Sequence, residues 1–520
     1  MPKKGMCLKL LTGDTQLSNA ETYRAYVRTL IFLYTQCAGA YVKTHMGLDA
    51  RVLILHSLDF NLYSEIRYRG EPVILSPEQI EEIEDMMWEL VRKDAPLRKT
   101  NMTLPEADRI FRAEGRDDLH RLLHYRSIST INLYSLGSHH DYFYGTILDK
   151  VSRVRRFDLI PYKDGIVVRT PAPDAPDTLR RFVPKPHLFS VFQQSREWSR
   201  MTGVENVSAL NDAISEGRID ELIQVSEALH AKNIAEIAVK IAGKREDGRA
   251  QGSLKRLVLV AGPSSSGKTT FSQKLCIQLK AEGMKPHLIS MDNYFHPRRM
   301  LPFGPDGKQD FEGIDALDTQ LFSEHMQALL KGQTVDLPTY NFVSGEREYR
   351  GESLQMGDQD VLVVEGIHGL NALVSEGIPR DQIFKIYISC ITMLGIDDHN
   401  RIPTTDSRLL RRMVRDYQHR NYSAADTLER WPSVRAGEEK NIFPFQEEAD
   451  VMFNSSHLYE LAVLKNYAEP LLFRIRPGEE TYDEARRLIR FLSYFLSVSS
   501  ELVPRSSLIR EFIGGGSYHQ

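Results

Sequence analysis

The sequence is poor in the features that mark the more specialised protein classes. Only four cysteines, Cys7, Cys37, Cys276 and Cys390, occur in 520 residues. They are scattered, without C-x-x-C or zinc-ligand spacing, which speaks against a disulfide framework or structural zinc and for a reducing compartment. The longest apolar run near the N-terminus, Thr29 to Val42, is short and contains Gln36, so it reads as a buried helix and not as a membrane span. Lys9 interrupts the apolar stretch Met6 to Leu11 that follows Lys3 and Lys4, and no convincing cleavage site follows, so a signal peptide is not expected. A cytoplasmic, unanchored protein is the expectation. Net charge of one sign is absent too: 66 Lys and Arg against 70 Asp and Glu leave −4. No overall field therefore draws the chain to nucleic acid or anionic lipid, although local patches remain open. Internal repeats and low-complexity segments are missing. What is present, 42% hydrophobic and 26% charged residues over 520 positions, is the composition of a globular protein of two or three domains.

The patterning divides the chain. Residues 20 to 42 read as a helix, and Arg51 to His56 and Asn61 to Tyr68 as strands. Ser76 can cap a following helix, with Pro77 in its first turn, Gln79 completing a capping box, and Ile80, Ile83, Met87 and Leu90 on one face. Short strand-like runs return from Ile128 to Arg169, and Pro171, Pro173 and Pro176 punctuate a loop. This alternation predicts an α+β domain over 1–180. Residues 181–253 are expected to be a helical connector, with Ile234, Ile237 and Ile241 on one side of its last helix and a polar linker from Gly243 to Ser253. From 254 to 475 strands and helices alternate, the pattern of an α/β domain with a parallel sheet covered by helices on both faces. Residues 476–520 would form a C-terminal helical extension.

The stretch Gly262-Pro263-Ser264-Ser265-Ser266-Gly267-Lys268-Thr269-Thr270 fits G-x-x-x-x-G-K-[ST]. Each residue type has a physical task. Glycines let successive backbone N–H groups turn around phosphate oxygens, Lys268 brings a cation to the β and γ phosphates, and Thr269 offers a hydroxyl to Mg2+. Leu257 to Ala261 reads as a buried strand entering the loop. Phe271, Leu275 and Leu279 fall at helical spacing after it, with Gly283 as a stop, so a helix N-terminus would face the anion. A plain Gly/Ser turn is the bland alternative. The strand His287 to Ser290 would deliver Asp292 at its C-terminal end, and Val361 to Val364 ends in Glu365, placed to hold Mg2+ directly or through water. Phe384 to Ser389 is another strand candidate. The bland alternative for Asp292 is a helix cap after the strand, and for Arg408, Arg411, Arg412 and Arg415 a solvated helix face.

Taken in order, Gly262 to Thr270, Ser290 to Phe295, Phe311 to Asp318, Leu337 to Ser344, Val361 to Gly369 and Arg408 to Asp416 resemble the uridine and cytidine kinase family within the phosphoribulokinase-like group, over about residues 255 to 470. The resemblance implies an ATP- and Mg2+-dependent P-loop kinase in which Asp292 is the base for a nucleoside 5'-hydroxyl. Lys268, Arg412 and Arg415 would stabilise the transferring phosphoryl group, and Thr269 and Glu365 would organise the metal. Tyr294, Phe311, Glu312, Tyr340, Phe342, Arg412 and Arg420 would line the acceptor site, and residues 408 to 435 would close as a lid. Three positions depart from the family: Glu312 stands where Asp is usual, Gly345 where the base-reading His falls, and Tyr422 where a further lid Arg falls.

The N-terminal part resembles the additional, editing domain of threonyl-tRNA synthetases through His56 to Phe60, the helix from Ser76, and His140 to Gly145. Of the H-x-x-x-H and C-x-x-x-H ligands only His56 is kept, since Phe60, Phe143 and Ile147 occupy the other positions, so editing activity is expected to be absent. A preceding β-grasp domain also looks missing or reduced, because residues 1 to 20 are too few to form it. The combination resembles a bacterial family of uridine or nucleoside kinases, for which Arg430 to Arg435, Phe443 to Asp450 and Arg510 to Gly514 give further matches. The expected activity is phosphorylation of uridine or cytidine. The alternatives are a P-loop kinase of another small hydroxyl acceptor, such as a sugar phosphate or pantothenate, and an RNA-associated regulatory ATPase. Expected partners are a small nucleoside and ATP, with no membrane and no stable nucleic acid; tRNA is kept as a secondary candidate, and an oligomer is compatible.

Overall fold

The computed structural model describes residues 20–244, 252–303, 309–310 and 312–518. The short N-terminal stretch, most of the polar linker and Phe311 lie outside the described residues. Two compact units are present: one takes the described residues up to Pro184 with Asn206–Ser208 and Gly395–Arg401, the other takes Lys185–Glu205, Ala209–Leu394 and the chain from Ile402 onward.

The first unit is α+β. Its elements are α1 (Ala20–Met46), β1 (Arg51–Leu58), β2 (Asn61–Tyr68), β3 (Glu71–Pro72), α2 (Pro77–Arg92), β4 (Leu97–Thr103), α3 (Leu104–Ala113), α4 (Asp117–His124), β5 (Thr130–Leu136), β6 (His139–Tyr142), β7 (Asp158–Tyr162) and β8 (Gly165–Arg169). One antiparallel sheet has the order β1-β2-β8-β7 with β3 against β2, and a second has the order β4-β5-β6. Helix α1 is the core helix that its apolar run predicts: Leu30, Phe32, Leu33 and Tyr34 are all fully buried. No helix among the described residues is long and apolar enough to cross a membrane. The Ser76/Gln79 capping box forms at the start of α2, whose buried face is Ile80, Ile83, Met87 and Val91. Strand β4 escapes sequence reading because Arg98, Lys99, Thr100 and Asn101 are all exposed, so no period-two alternation of apolar residues marks it. His56 stacks on Tyr63 at 4.9 Å, and Phe143 meets Phe32 edge-on at 5.7 Å in the core.

A buried ionic network sits in this unit. Arg116 makes a bidentate pair with Asp118, at 3.0 and 2.9 Å, and reaches Asp141 at 3.2 Å. His399 Nδ1 lies 2.6 Å from the other Asp141 oxygen, and the Asp397 carboxylate accepts the His399 and Asn400 amides at 2.9 Å. Burial works to raise the Asp118 carboxyl, but the Arg116 ion pair outweighs it and holds it at about 2. Burial and the neighbouring Asp118 charge push Asp397 up to about 7. Removing the cation that pairs with Asp118 and also reaches Asp141 leaves buried Asp118 without its ion-pair partner, so Arg116→Met is expected to cost about 3–5 kcal/mol at neutral pH. Because the Asp118 value is depressed on folding, that contribution is present above its unfolded value of 3.8 and is lost as pH falls toward about 2. Calorimetric unfolding of both proteins should therefore show a gap that closes in acid; a gap independent of pH would contradict the network's role.

The second unit contains α5 (Pro186–Met201), α6 (Val207–Ser215), α7 (Ile219–Ile241), β9 (Leu257–Ala261), α8 (Lys268–Ala281), β10 (Lys285–Ser290), α9 (Thr319–Leu330), β11 (Val335–Asn341), β12 (Glu346–Leu354), β13 (Asp360–Glu365), β14 (Ile383–Ser389), α10 (Thr404–His419), α11 (Ala424–Asn441), β15 (Val451–Asn454), α12 (Glu460–Leu472), α13 (Tyr482–Leu492) and α14 (Arg510–Ile513). Its main sheet is five-stranded, order β10-β13-β9-β14-β15, and every pairing is parallel. Such a sheet must be covered on both faces, and the apolar runs of β9 and β13 supply both. Leu257, Leu259, Leu362 and Val364 pack with Phe322, Met326 and Leu329 of α9. Val258, Val260, Val361 and Val363 pack with Phe271, Leu275 and Leu279 of α8 and with Ile234, Ile237 and Ile241 of α7. The register sets Ser290 beside Glu365 and Glu365 beside Val260, so three strands end together at one edge. A separate antiparallel hairpin, β11-β12, was not legible as such in the sequence.

Candidate active site

The site grows from that shared strand edge. β9 ends at Ala261 and the chain turns at once into the loop, where Gly262 is forced: a Cβ there would lie 2.1 Å from Ile388 O. Gly267 has φ +87° and caps α8, a left-handed conformation that a side chain disfavours. The first turn of α8 consequently presents amides with no intrahelical acceptor, the positive end of the helix dipole behind them, an anion-binding geometry in which the Thr270 amide meets the Glu511 carboxylate at 3.1 Å. Lys268 Nζ donates to Gly262 O at 3.0 Å and Pro263 O at 3.1 Å. Burial lowers the Lys268 ammonium, while Glu365, Glu511 and Asp292 work against that shift.

The two carboxylates singled out in the sequence stand at this same edge. Asp292 lies inside the short turn Met291–Tyr294 whose cap is Ser290, so it is not a capping residue. Burial raises its carboxyl, and Lys268 and Arg420 pull it back. Glu365, at the end of β13, accepts a hydrogen bond from Thr269 Oγ1 at 3.4 Å. Burial pushes it up to about 7, opposed by Lys268 and reinforced by Asp292 and Glu511. Asp292, Glu365, Lys268 and Thr269 thus form one electrostatic group.

The arginines of α10 split into two kinds. Arg408 and Arg411 are almost wholly buried, which rules out a solvated face. Arg408 pairs with Glu438 and donates to Ser264 O at 3.1 Å, while Glu438 accepts the Ser264 amide at 3.0 Å. Arg411 makes a bidentate pair with Glu460, both contacts at 2.5 Å, and donates to Ser455 O at 2.8 Å. These two hold the loop from behind. Arg412 donates to Ser264 Oγ at 2.8 Å, and a single buried carboxylate, Asp416, gathers Arg412 at 3.2 Å, Arg415 at 2.8 Å and Arg420 at 3.8 Å. Arg415 is a charge neighbour of Lys268, Arg420 of Asp292, and Arg412 of Glu312. Sequence reasoning missed Glu438, Glu460 and Glu511. The visible signal was indirect, a run of arginines that needs counter-charges if it is buried; only Asp416 stood inside that run.

The acceptor residues are placed less uniformly. Burial lifts Glu312 to about 6, opposed by Arg412 and reinforced by Glu438. α11 passes close enough that a Cβ on Gly437 would meet Glu312 Cβ at 2.7 Å. Tyr340 is buried and edge-on to Phe342 at 5.0 Å, and its amide donates to Asn293 Oδ1 at 3.2 Å, tying the hairpin to the Asp292 turn. Phe342 is about half exposed. Tyr294 is fully buried, edge-on to Phe322 at 5.1 Å and hydrogen-bonded to His325 at 3.3 Å, on the α9 side of the turn. Phe311 lies outside the described residues. Gly345 has φ +73°, and Arg298 fills the space where a side chain there would project, its amide donating to Gly345 O at 2.7 Å. Arg430 covers the Tyr422 ring at 4.0 Å.

Part of the chain is similar to known proteins. Residues 257–461 match the Phosphoribulokinase / Uridine kinase family. A uridine kinase of Mycoplasma pneumoniae is 28% identical over 220 residues, which is 42% of this chain and 94% of that protein. A uridine kinase of Staphylococcus aureus is 28% identical over 209 residues, 40% of this chain and 91% of that protein. A solved structure described as a possible uridine kinase from Bacillus stearothermophilus aligns with a TM-score of 0.29 at 16% identity, covering 43% of this chain and 98% of that one. With the loop, the paired carboxylates and the arginine helix assembled on one sheet edge, residues 257–461 are a P-loop domain of the phosphoribulokinase and uridine kinase family, a phosphotransferase acting on a hydroxyl acceptor.

Proposed function

We propose that the protein transfers the γ-phosphoryl group of ATP to the 5'-hydroxyl of a nucleoside, uridine or cytidine. The observation that carries the reading is the gathering of Asp292 and Lys268, both half-buried, in one charge group. The loop amides and Lys268 take the phosphates, Asp292 accepts the hydroxyl proton as the oxygen attacks the γ-phosphorus, and the bond to the β-γ bridging oxygen breaks to release ADP. Arg412, Arg415 and Arg420, restrained by Asp416, meet the charge that develops on the equatorial oxygens. Glu312, Tyr340 and Phe342 are assigned to the acceptor, and Tyr294 supports the Asp292 turn from the core side.

The Thr269 hydroxyl and Glu365 carboxylate, 3.4 Å apart, are hard oxygen donors that suit Mg2+ shared with nucleotide phosphates. Among the described residues no cluster of three or more His, Cys, Asp or Glu could hold a metal unaided. When bound, Mg2+ supplies neutralisation of the β and γ phosphate charge. A second acceptor class, an anionic one such as a sugar phosphate or a carboxylate, draws on Arg298 beside Gly345, whose guanidinium donates to Phe342 O at 2.6 Å in the acceptor hairpin.

Two measurements test the reading. Asp292→Asn should lower kcat by at least about a thousandfold while ADP affinity stays within about threefold, since only the proton acceptor is lost; near wild-type turnover would sink the assignment. The raised Glu365 value means that its contribution to stability is present below 4.5 and lost as pH rises through about 7. Without Mg2+, the wild-type protein should therefore lose thermal stability relative to Glu365→Gln across that window, and Mg2+ with ADP should reverse the order above it. Identical pH profiles would remove Glu365 from the metal's support.

A further inference from the structure

The C-terminal segment reaches the nucleotide loop. Thr270 is in the first turn of α8, and its amide, one of the donors that a P-loop directs to phosphate, donates instead to Glu511 Oε2 at 3.1 Å. Glu511 is also a charge neighbour of Lys268 and of Glu365. The backbone that carries it is fixed. Leu508 and Phe512 are fully buried, the Arg411 guanidinium lies 4.9 Å over the Phe512 ring, and Lys274 Nζ donates to Ser506 O at 3.0 Å. On the other side Gln418 Nε2 donates to Ile513 O at 3.4 Å. Leu508 packs against the loop itself, 3.7 Å from where a Cβ on Gly267 would stand. With that backbone held, the Glu511 side chain, which has three torsions, is the part that can turn away from Thr270.

A carboxylate and a phosphate oxygen are the same kind of ligand, anionic and acceptor-only, and one N–H cannot be well aligned to both. We propose that Glu511 is an internal competitor for the nucleotide: its carboxylate and a nucleotide phosphate are alternative partners of the Thr270 amide, so Glu511 weakens nucleotide binding and must rotate away as the phosphates are seated. This rests on the reading that Gly262 to Thr270 binds nucleotide phosphates. It makes the last turn of the chain a restraint on the ATP site, and it places a further negative charge beside Lys268 that a bound nucleotide would have to tolerate or displace.

The test is calorimetric titration of Mg2+-ADP into the full-length wild-type protein, Glu511→Gln and Glu511→Ala. Gln keeps the size and loses the charge. Both variants should bind ADP about tenfold more tightly, equivalent to removing one charge-assisted contact of about 1.4 kcal/mol. Unchanged or weaker affinity overturns the proposal, and unchanged affinity with reduced kcat overturns it in favour of a role in the chemistry. No ADP binding by any of the three proteins would defeat the nucleotide reading itself and the proposal with it. Should the variants fold poorly, a crystal structure of the wild-type protein with Mg2+-ADP decides: the Thr270 amide should point to a phosphate oxygen with Glu511 rotated away, whereas a persisting Thr270–Glu511 hydrogen bond with ADP bound would refute competition.

Discussion

The P-loop unit depends on the way buried charge is balanced around Gly262 to Thr270. A loop whose amides face an anion site cannot satisfy itself; it has to be held by its carbonyls and its outer amides. Arg408 and Arg411 supply that hold from α10, and each has its own carboxylate, Glu438 and Glu460. Breaking either pair would leave a charge stranded at nearly zero exposure, a far larger penalty than losing a surface ion pair. Arg412, Arg415 and Arg420, the cations proposed to meet the phosphoryl group, share Asp416, which keeps three mutually repelling guanidinium groups together, and Arg412 also donates to Ser264 Oγ.

This separation explains what could be read from the sequence. The loop, the strand before it and the helix after it are local in the chain, so spacing alone reveals them; the central strands β9, β13 and β14 of the parallel sheet are buried almost throughout and read as largely apolar runs. Glu365 was legible for a related reason, as the polar end of such a run, and Asp292 as a carboxylate just past the strand β10. Partners distant in sequence were not. Glu460 meets Arg411 across 49 positions, and Glu511 meets Thr270 across 241. Neither sits in a pattern that periodicity can detect. The β11-β12 hairpin and β4 were hidden by polar, exposed strands, in which the inward-facing residues are too few to set a period.

The acceptor side is less determined than the donor side, for a physical reason. Phosphate recognition uses backbone amides and one lysine, which leave a fixed motif. On the proposed reading, acceptor recognition uses side chains from the Asp292 turn and the hairpin, which carry no comparably fixed motif. Arg298 in the space beside Gly345, and Glu312 in close contact with α11 at Gly437, are assigned to that side. On the proposed reading they bear on which hydroxyl compound is held and not on how a phosphoryl group is delivered to it.

The central claim is that one buried charge group delivers phosphate from the loop to a hydroxyl at Asp292. The most direct test is 31P NMR of the purified protein with Mg2+-ATP and, in separate tubes, uridine, cytidine, sugar phosphates and pantothenate. A new phosphate monoester resonance growing in step with ADP, and only when one of these acceptors is present, is the predicted result. ADP accompanied by inorganic phosphate alone, whatever the acceptor, and stimulated by tRNA, would contradict it.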